Sequence, residues 1–234
     1  MKNINQSKKQ YVTKVFNEVF NKYDLMNDLM SFGAHRLWKS KLIHWMSPRQ
    51  NQHLIDVASG TGDVARAFLK ETNFSGKVSC VEPNKNMLKI GEKKLKNFAN
   101  VKWYCAQAEK LPFKDETFDI YVVSFGIRNF SNIRLALNES RRVLKTGGRF
   151  LCLEFSKVNN EILSEFYKKY SKMIPHIGKY IVGKSEPYEY LINSINDFYS
   201  QEELLKLIKS NGFESVEFRD LSGGIAAIHS GWKI

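Results

Sequence analysis

One short stretch limits what this chain can fold into. The apolar run at residues 53–58 breaks into Ser59-Gly60-Thr61-Gly62, and Asp63–Glu71 then takes up helical periodicity. Gly60 and Gly62 permit a tight strand-to-helix turn and let a ligand approach the backbone closely. A glycine-rich turn alone is common to many nucleotide-binding folds. Glu82, about 20 residues further on and again at the end of an apolar run, adds a carboxylate able to accept hydrogen bonds from both hydroxyls of a ribose. Together the turn, from Asp56 to Asp63, and Glu82 predict a cofactor that contains adenosine.

Around the turn, short β-like runs alternate with helical patterns. Strands are expected at 53–58, 77–82, 101–105, 118–124 and 149–155. Helices are expected at 63–71, at 85–98 with Asn84 as its cap, and at 133–144 with Gly147-Gly148 as its stop. Such alternation predicts a Rossmann-like α/β fold, a mostly parallel sheet with helices on both faces. After Phe155 the pattern changes. Residues 157–199 carry a long amphipathic helix with Phe166, Tyr167, Tyr170, Met173 and Ile174, then an irregular stretch. A helix at 201–211 and strands at 213–219 and 225–230 complete a seven-stranded sheet. With no repeat or linker, 1–234 is expected to be one domain, with 1–50 as an N-terminal helical lid and 157–199 as a helical insert. In open α/β sheets ligands sit beyond the C-terminal strand ends, so both additions can roof that crevice.

Composition narrows the class less than the pattern does. The net charge of +12 comes from lysine spread along the chain, which permits nucleic acid, an anionic membrane or acidic substrates without choosing among them. No apolar run approaches the ~18 residues of a membrane span, and the polar start MKNINQSKKQ lacks the apolar segment of a secretory signal. Cys80, Cys105 and Cys152 form no CxxC pair, and each falls in a segment that reads as a core strand. They are expected to be buried core residues, with no disulfide and no metal site. A reducing, cytoplasmic location follows as the expectation.

Two features favour S-adenosylmethionine over a nicotinamide cofactor. The third glycine of the dinucleotide fingerprint is Ala65, a mild discriminator. More telling is Ala106-Gln107-Ala108-Glu109-Lys110-Leu111-Pro112-Phe113, followed by Asp115 and Phe118-Asp119. This stretch resembles the loop after strand three of class I methyltransferases that act on small molecules. An Asp often contacts the adenine amine there; Gln107 keeps an acceptor and adds a donor. Strand four runs into Ser124-Phe125-Gly126-Ile127-Arg128-Asn129-Phe130, without the Asn/Asp-Pro-Pro-aromatic motif of nucleobase amino-methyltransferases. The Pro-Cys nucleophile of cytosine C5 enzymes is also missing. An RNA methyltransferase is then suggested by charge alone, and no nucleic-acid partner is expected.

Further motifs make the resemblance specific. Tyr23-Asp24-Leu25-Met26-Asn27-Asp28-Leu29-Met30-Ser31-Phe32-Gly33 and His35-Arg36-Leu37-Trp38-Lys39 resemble the N-terminal signature of the ubiquinone/menaquinone biosynthesis C-methyltransferases. Arg142-Val143-Leu144-Lys145-Thr146-Gly147-Gly148-Arg149, running on to Leu153-Glu154-Phe155-Ser156-Lys157, resembles the second signature. Ser124 to Asn129 and the ending from Gly223 to Gly231 match as well, so the resemblance runs from about Phe16 onward. The chain departs from the family pattern at Thr146, where Pro is usual, at Glu82, where Asp is more frequent, and at Ser59, where glycine is common. The resemblance implies contacts with S-adenosyl-L-methionine at Thr61, Glu82, Gln107, Ala108 and Ser124, beside Asp56, Gly60 and Gly62 of the turn. It implies methylation of a ring carbon on a lipid-soluble polyprenyl quinol, either demethylmenaquinol, the benzoquinol precursor of ubiquinone, or both. A non-catalytic subunit of a quinone-synthesis complex is the alternative, and the intact cofactor motifs argue against it.

A quinone ring is electrophilic, so the reduced quinol must be the nucleophile. Its phenolic pKa of ~10 calls for charge stabilisation or a base. Arg128 is the expected stabiliser of the phenolate, because a guanidinium keeps its charge. Asn129 is expected to orient a hydroxyl or a water. Tyr23 is assigned to the acceptor ring, to closure over the cofactor, or to the core. Asp24 and Asn27 are expected to brace the N-terminal helices, and His35 to be structural. The proton acceptor stays open, a water held by Arg128 and Asn129 among the choices. The insert, with Lys168, Lys169, Lys172, Lys179 and Lys184, either packs as an ordinary amphipathic helix or touches a membrane surface, where the substrate resides.

Overall fold

The first five strands share one direction, because helices return the chain after the first, second and fourth of them and the loop 105–117 returns it after the third. In the computed structural model, which describes residues 23–159, 161–182 and 185–234, they are β1 (His53–Val57), β2 (Lys77–Val81), β3 (Val101–Tyr104), β4 (Phe118–Ser124) and β5 (Leu144–Phe155). The strands β6 (Glu214–Leu221) and β7 (Ala226–Trp232) complete the seven-stranded order β3-β2-β1-β4-β5-β7-β6, and β7 runs antiparallel to both β5 and β6. From β1 the chain builds outward through β2 and β3, then restarts at β4 on the other side of β1. The strand order therefore reverses at the C-terminal ends of β1 and β4, where such sheets hold their ligands.

Alternation along the strands divides the core between two faces. Leu54, Val78, Cys80, Ile120, Val122, Leu151 and Leu153 pack with Trp38, Leu42, Phe68 and Leu69. The last four lie on α2 (His35–Met46) and α3 (Asp63–Glu71), while α1 (Tyr23–Ser31) adds Met30. Opposite them, Ile55, Val57, Val81, Tyr121, Val123, Phe150 and Cys152 pack with Ala136 and Leu137 of α5 (Ile133–Val143) and with Leu204 and Ile208 of a helix near the C-terminus. Between these lies α4 (Lys85–Lys94), whose Asn84 cap accepts from the Asn86 and Met87 N–H groups as expected.

The structure departs from expectation at four points. The stretch after α6 (Glu161–Val182) is not irregular throughout, because α7 (Glu186–Asn196) follows, before α8 (Gln201–Ser210). Pro187 in its first turn needs no N–H donor, and Tyr188, Leu191 and Ile195 fall on one buried face. Gly147-Gly148 does not stop α5 but lies inside β5, which begins at Leu144 paired with Phe118. The helix α4 ends at Lys94, short of Phe98, whose ring stacks on Phe74. Cys105 is exposed rather than buried, because β3 is the edge strand and ends one residue earlier. Cys80 and Cys152 are buried, and burial pushes both thiols up.

The helices α1 and α2 meet at Phe32 and Gly33, both in the left-handed region. Across that corner His35 donates to Asp28 at 2.9 Å, the structural role expected of it. Among the described residues no helix is long and apolar enough to cross a membrane, and no group of His, Cys, Asp and Glu side chains is arranged to hold a metal.

Candidate functional site

The turn after β1 passes through Ala58, Gly60 and Gly62, all at positive φ, before α3 begins. Gly62 is required twice over: its φ is 85°, and a Cβ there would stand 2.8 Å from Leu95. The Gly60 N–H donates to Glu82 Oε2 at 2.9 Å, and the Asn84 N–H donates to Oε1 at 2.8 Å. Glu82 is thus clamped at the end of β2 with one lone pair on each oxygen still available to a ligand. Burial raises its carboxyl to about 7, opposed by those two backbone donors. Ser59, in the place of a glycine, binds the Val81 carbonyl through its N–H at 3.2 Å.

Two cavities flank the turn. The larger, about 870 Å³, is lined by Glu82, Met87, Gln107, Ala108, Asn129 and Phe130, among others. Apolar Met87 and Ala108 suit a planar base, Gln107 offers it a donor and an acceptor, and Glu82 suits a ribose. The smaller, about 400 Å³, is lined by Asn27, Lys39, Asp56, Thr61, Asp63 and Ser124. Ala58, Gly60 and Phe125 border both, so the cavities adjoin over the glycine turn.

Polarity in the smaller cavity is unspent. Asn27 Nδ2 and Oδ1, Asp56 Oδ2 and Ser124 Oγ are all buried, and none has a hydrogen-bond partner among the described residues. Burial raises the Asp56 carboxyl to about 8, opposed by the Lys39 charge and the Ala65 N–H. Lys39 pairs with Asp63 at 2.9 Å, and Thr61 Oγ1 accepts from Lys94 at 2.9 Å. Buried polar atoms are almost always satisfied, so the set fits a ligand end carrying both donors and acceptors. A nucleoside on one side of Gly60 and a zwitterionic amino-acid group on the other match the two cavities.

The expected catalytic residues divide. Asn129, in the 3-10 turn Ile127–Asn129, lines the larger cavity and accepts from Tyr190 Oη of α7 at 2.8 Å. Arg128, 4% exposed, borders neither cavity. Its Nη1 reaches Glu154 Oε1 at 2.5 Å and donates to the Phe125 carbonyl at 2.8 Å, with the guanidinium over the Phe155 ring. It borders instead a cleft between this turn and α7, which shares Phe130 and Ser131 with the larger cavity. Tyr23 belongs to α1, but its side chain lies outside the described residues, as does that of Asp24.

Three residues with no expected role in the site line its cavities or hold a residue expected there. Glu154 had a signal, a lone acid inside the apolar run Leu151–Phe155, where a buried charge demands a partner. Tyr190 and Asn27 had none, because only the packing of α7 and α1 brings them to the site.

A family model described as the ubiE/COQ5 methyltransferase family matches residues 4–233. The ubiquinone/menaquinone biosynthesis C-methyltransferase UbiE of Rickettsia akari is 50% identical, over 100% of this chain and 97% of that protein. The corresponding protein of Rickettsia bellii (strain OSU 85-389) is 49% identical, over 97% and 94%. Among solved structures, a SAM-dependent methyltransferase from Aquifex aeolicus superposes with a TM-score of 0.67 at 17% identity, over 92% of this chain and 97% of that one. The [4+2]-cyclase SpnF gives 0.69 at 16% identity, over 96% of each. At such identities these structures speak for the fold, that of the class I methyltransferases.

Proposed function

This chain belongs to the ubiE/COQ5 methyltransferase family, and on that premise we propose that its two adjoining cavities seat the nucleoside and amino-acid ends of its cofactor. The protein is an S-adenosyl-L-methionine-dependent C-methyltransferase of ubiquinone/menaquinone biosynthesis, and its substrate is a lipophilic quinol. The observation that carries the site assignment is the buried, unpartnered set Asn27, Asp56 and Ser124 across the turn from the clamped Glu82.

When bound, S-adenosylmethionine supplies a methyl group on a sulfonium, an electrophile that needs no further activation. Glu82 accepts from the ribose hydroxyls, Gln107 and Ala108 meet the adenine, and Asp56, Thr61 and Ser124 line the amino-acid side. Gly60 and Gly62 keep the backbone clear between the two ends. The acceptor is demethylmenaquinol, 2-polyprenyl-6-methoxy-1,4-benzoquinol, or both. Its ring enters by the cleft between the 3-10 turn and α7, lined by Tyr190, and Asn129, bonded to Tyr190 from the larger cavity, orients a hydroxyl. Arg128, fixed by Glu154, stabilises the phenolate that forms as the hydroxyl proton leaves. Much of the acceleration comes from holding ring carbon and methyl group in contact.

The lipid-soluble acceptor calls for a route from the bilayer. Phe166 and Met173 are exposed, and Phe32 stacks on Tyr170 between them on the same face of α6. Lys169 is exposed nearby; the side chains of Lys168, Lys172, Lys179 and Lys184 lie outside the described residues. This face is our candidate for peripheral contact with the inner surface of the cytoplasmic membrane, with the protein otherwise in the cytoplasm. Deleting the gene in its native host and profiling quinones by mass spectrometry tests the function. Accumulation of the demethylated precursor is expected, and an unchanged quinone profile would contradict it.

A further inference from the structure

We propose that Asn27 of α1 binds the amino-acid end of the cofactor, which makes the N-terminal helix pair part of the cofactor site rather than a brace beside it. The inference rests on the cofactor assignment above. Asn27 is 1% exposed, yet neither its Nδ2 nor its Oδ1 has a partner among the described residues. Burying a whole carboxamide unsatisfied is costly, so a residue that only braced a helix would do better as an apolar side chain.

The bracing of α1 is done by other groups. Ser31 Oγ bonds the Asn27 carbonyl at 2.6 Å, and from α6 Tyr167 Oη reaches the Met30 carbonyl at 3.0 Å and Tyr170 Oη the Leu29 carbonyl at 2.5 Å. The Asn27 side chain instead lines the smaller cavity together with Asp56 and Ser124, whose Oδ2 and Oγ also have no partner there. An amino-acid end carries a carboxylate that needs donors and an ammonium that needs acceptors. A carboxamide supplies one of each, a carboxyl adds an acceptor for the ammonium, and a hydroxyl supplies either. Lys39 of α2 and Asp63 of α3 border the same space but already pair with each other, whereas the Asn27 carboxamide of α1 keeps its polarity for a ligand.

The test separates the two ends of the ligand. S-adenosylhomocysteine and 5′-methylthioadenosine share the nucleoside and thioether, and only the first carries the amino-acid group. Calorimetry on the full chain should show Asn27→Ala and Asn27→Leu weakening S-adenosylhomocysteine roughly 10- to 100-fold while 5′-methylthioadenosine stays about twofold or less from wild type. Glu82→Ala should weaken both ligands. Because the amide is unpartnered in the ligand-free fold, Asn27→Leu should melt no lower than wild type without ligand. Equal loss for both ligands, no loss for either, or a marked drop in ligand-free melting temperature in both variants would overturn the inference and make Asn27 structural. A wild-type protein that fails to bind S-adenosylhomocysteine would bring down the cofactor assignment itself, and this inference with it.

Discussion

The Gly60 N–H and the Glu82 carboxylate are joined at 2.9 Å, so the turn after β1 and the end of β2 form one unit. The same carboxylate holds the Asn84 N–H at 2.8 Å, at the start of α4. The carboxylate proposed for the ribose thereby also fixes the shape of the glycine turn. Glu82→Ala should weaken S-adenosylhomocysteine roughly 10- to 100-fold and cost about 1–3 kcal/mol of stability, since two buried N–H donors lose their acceptor. Calorimetry and urea unfolding measure the two effects, and unchanged affinity would remove Glu82 from the site.

Asp56 and Glu82 make binding depend on pH. Burial raises their carboxyls to about 8 and about 7. A carboxyl whose folded pKa lies above its unfolded value of about 4 contributes stability that is full below that value and lost as pH rises through the folded pKa. The ligand-free protein should therefore lose stability between about pH 4 and 8 from these groups. An ammonium beside Asp56 and ribose hydroxyls on Glu82 favour the ionised forms. Binding should then release protons at pH 6–7, roughly, and tighten as pH rises through that range. Calorimetry in buffers of different ionisation enthalpy reads the sign, and net proton uptake would contradict this account.

Much of this site was legible in the sequence, because the turn, Glu82 and the loop at Gln107 lie within contiguous motifs whose chemistry is local. The alternating strands and helices gave the sheet, since each element announces itself by its own period. Other features depend on partners far away along the chain. The lid and the insert were expected over the crevice, but nothing near Asn27 or Tyr190 says which of their side chains reach the cavities, and nothing near Cys105 says that β3 is an edge. Arg128 was legible as a charge just beyond β4, but not as one buried against Glu154, a residue 26 positions away on the neighbouring strand.

Glycine packing separates fold from site. A Cβ at Gly91 would lie 2.0 Å from the Trp103 ring, outside both cavities, whereas one at Gly126 would lie 2.5 Å from the Ala58 Cβ, where the cavity linings meet. Gly91→Ala should cost about 1–3 kcal/mol by displacing Trp103 and leave cofactor affinity close to wild type. Gly126→Ala should weaken cofactor binding as well as stability. Parallel measurements of unfolding and binding check the contrast, and equal effects on affinity would refute it.

Arg128→Met alone strands Glu154 as a buried acid, a change that costs about 3–5 kcal/mol when one partner of a buried pair is removed. The double variant Arg128→Met with Glu154→Gln removes both charges and should recover most of that stability. If the Arg128 charge stabilises the phenolate, the folded double variant should bind cofactor normally and still lose on the order of 10²–10³ in kcat. Some rate should return as pH approaches ~10, where the phenol ionises unaided. A folded double variant with near-normal kcat would leave the pair a purely structural one.

The most direct measurement is transfer of labelled methyl from S-adenosylmethionine to a short-chain demethylated quinol, with the acceptor supplied either reduced or oxidised. Only the reduced ring has the electron density to attack the sulfonium methyl. The reduced acceptor should be methylated on carbon, the oxidised form should take up no label, and bulk RNA should take up none. Robust methylation of the oxidised quinone, or transfer to RNA in place of the quinol, would contradict the account.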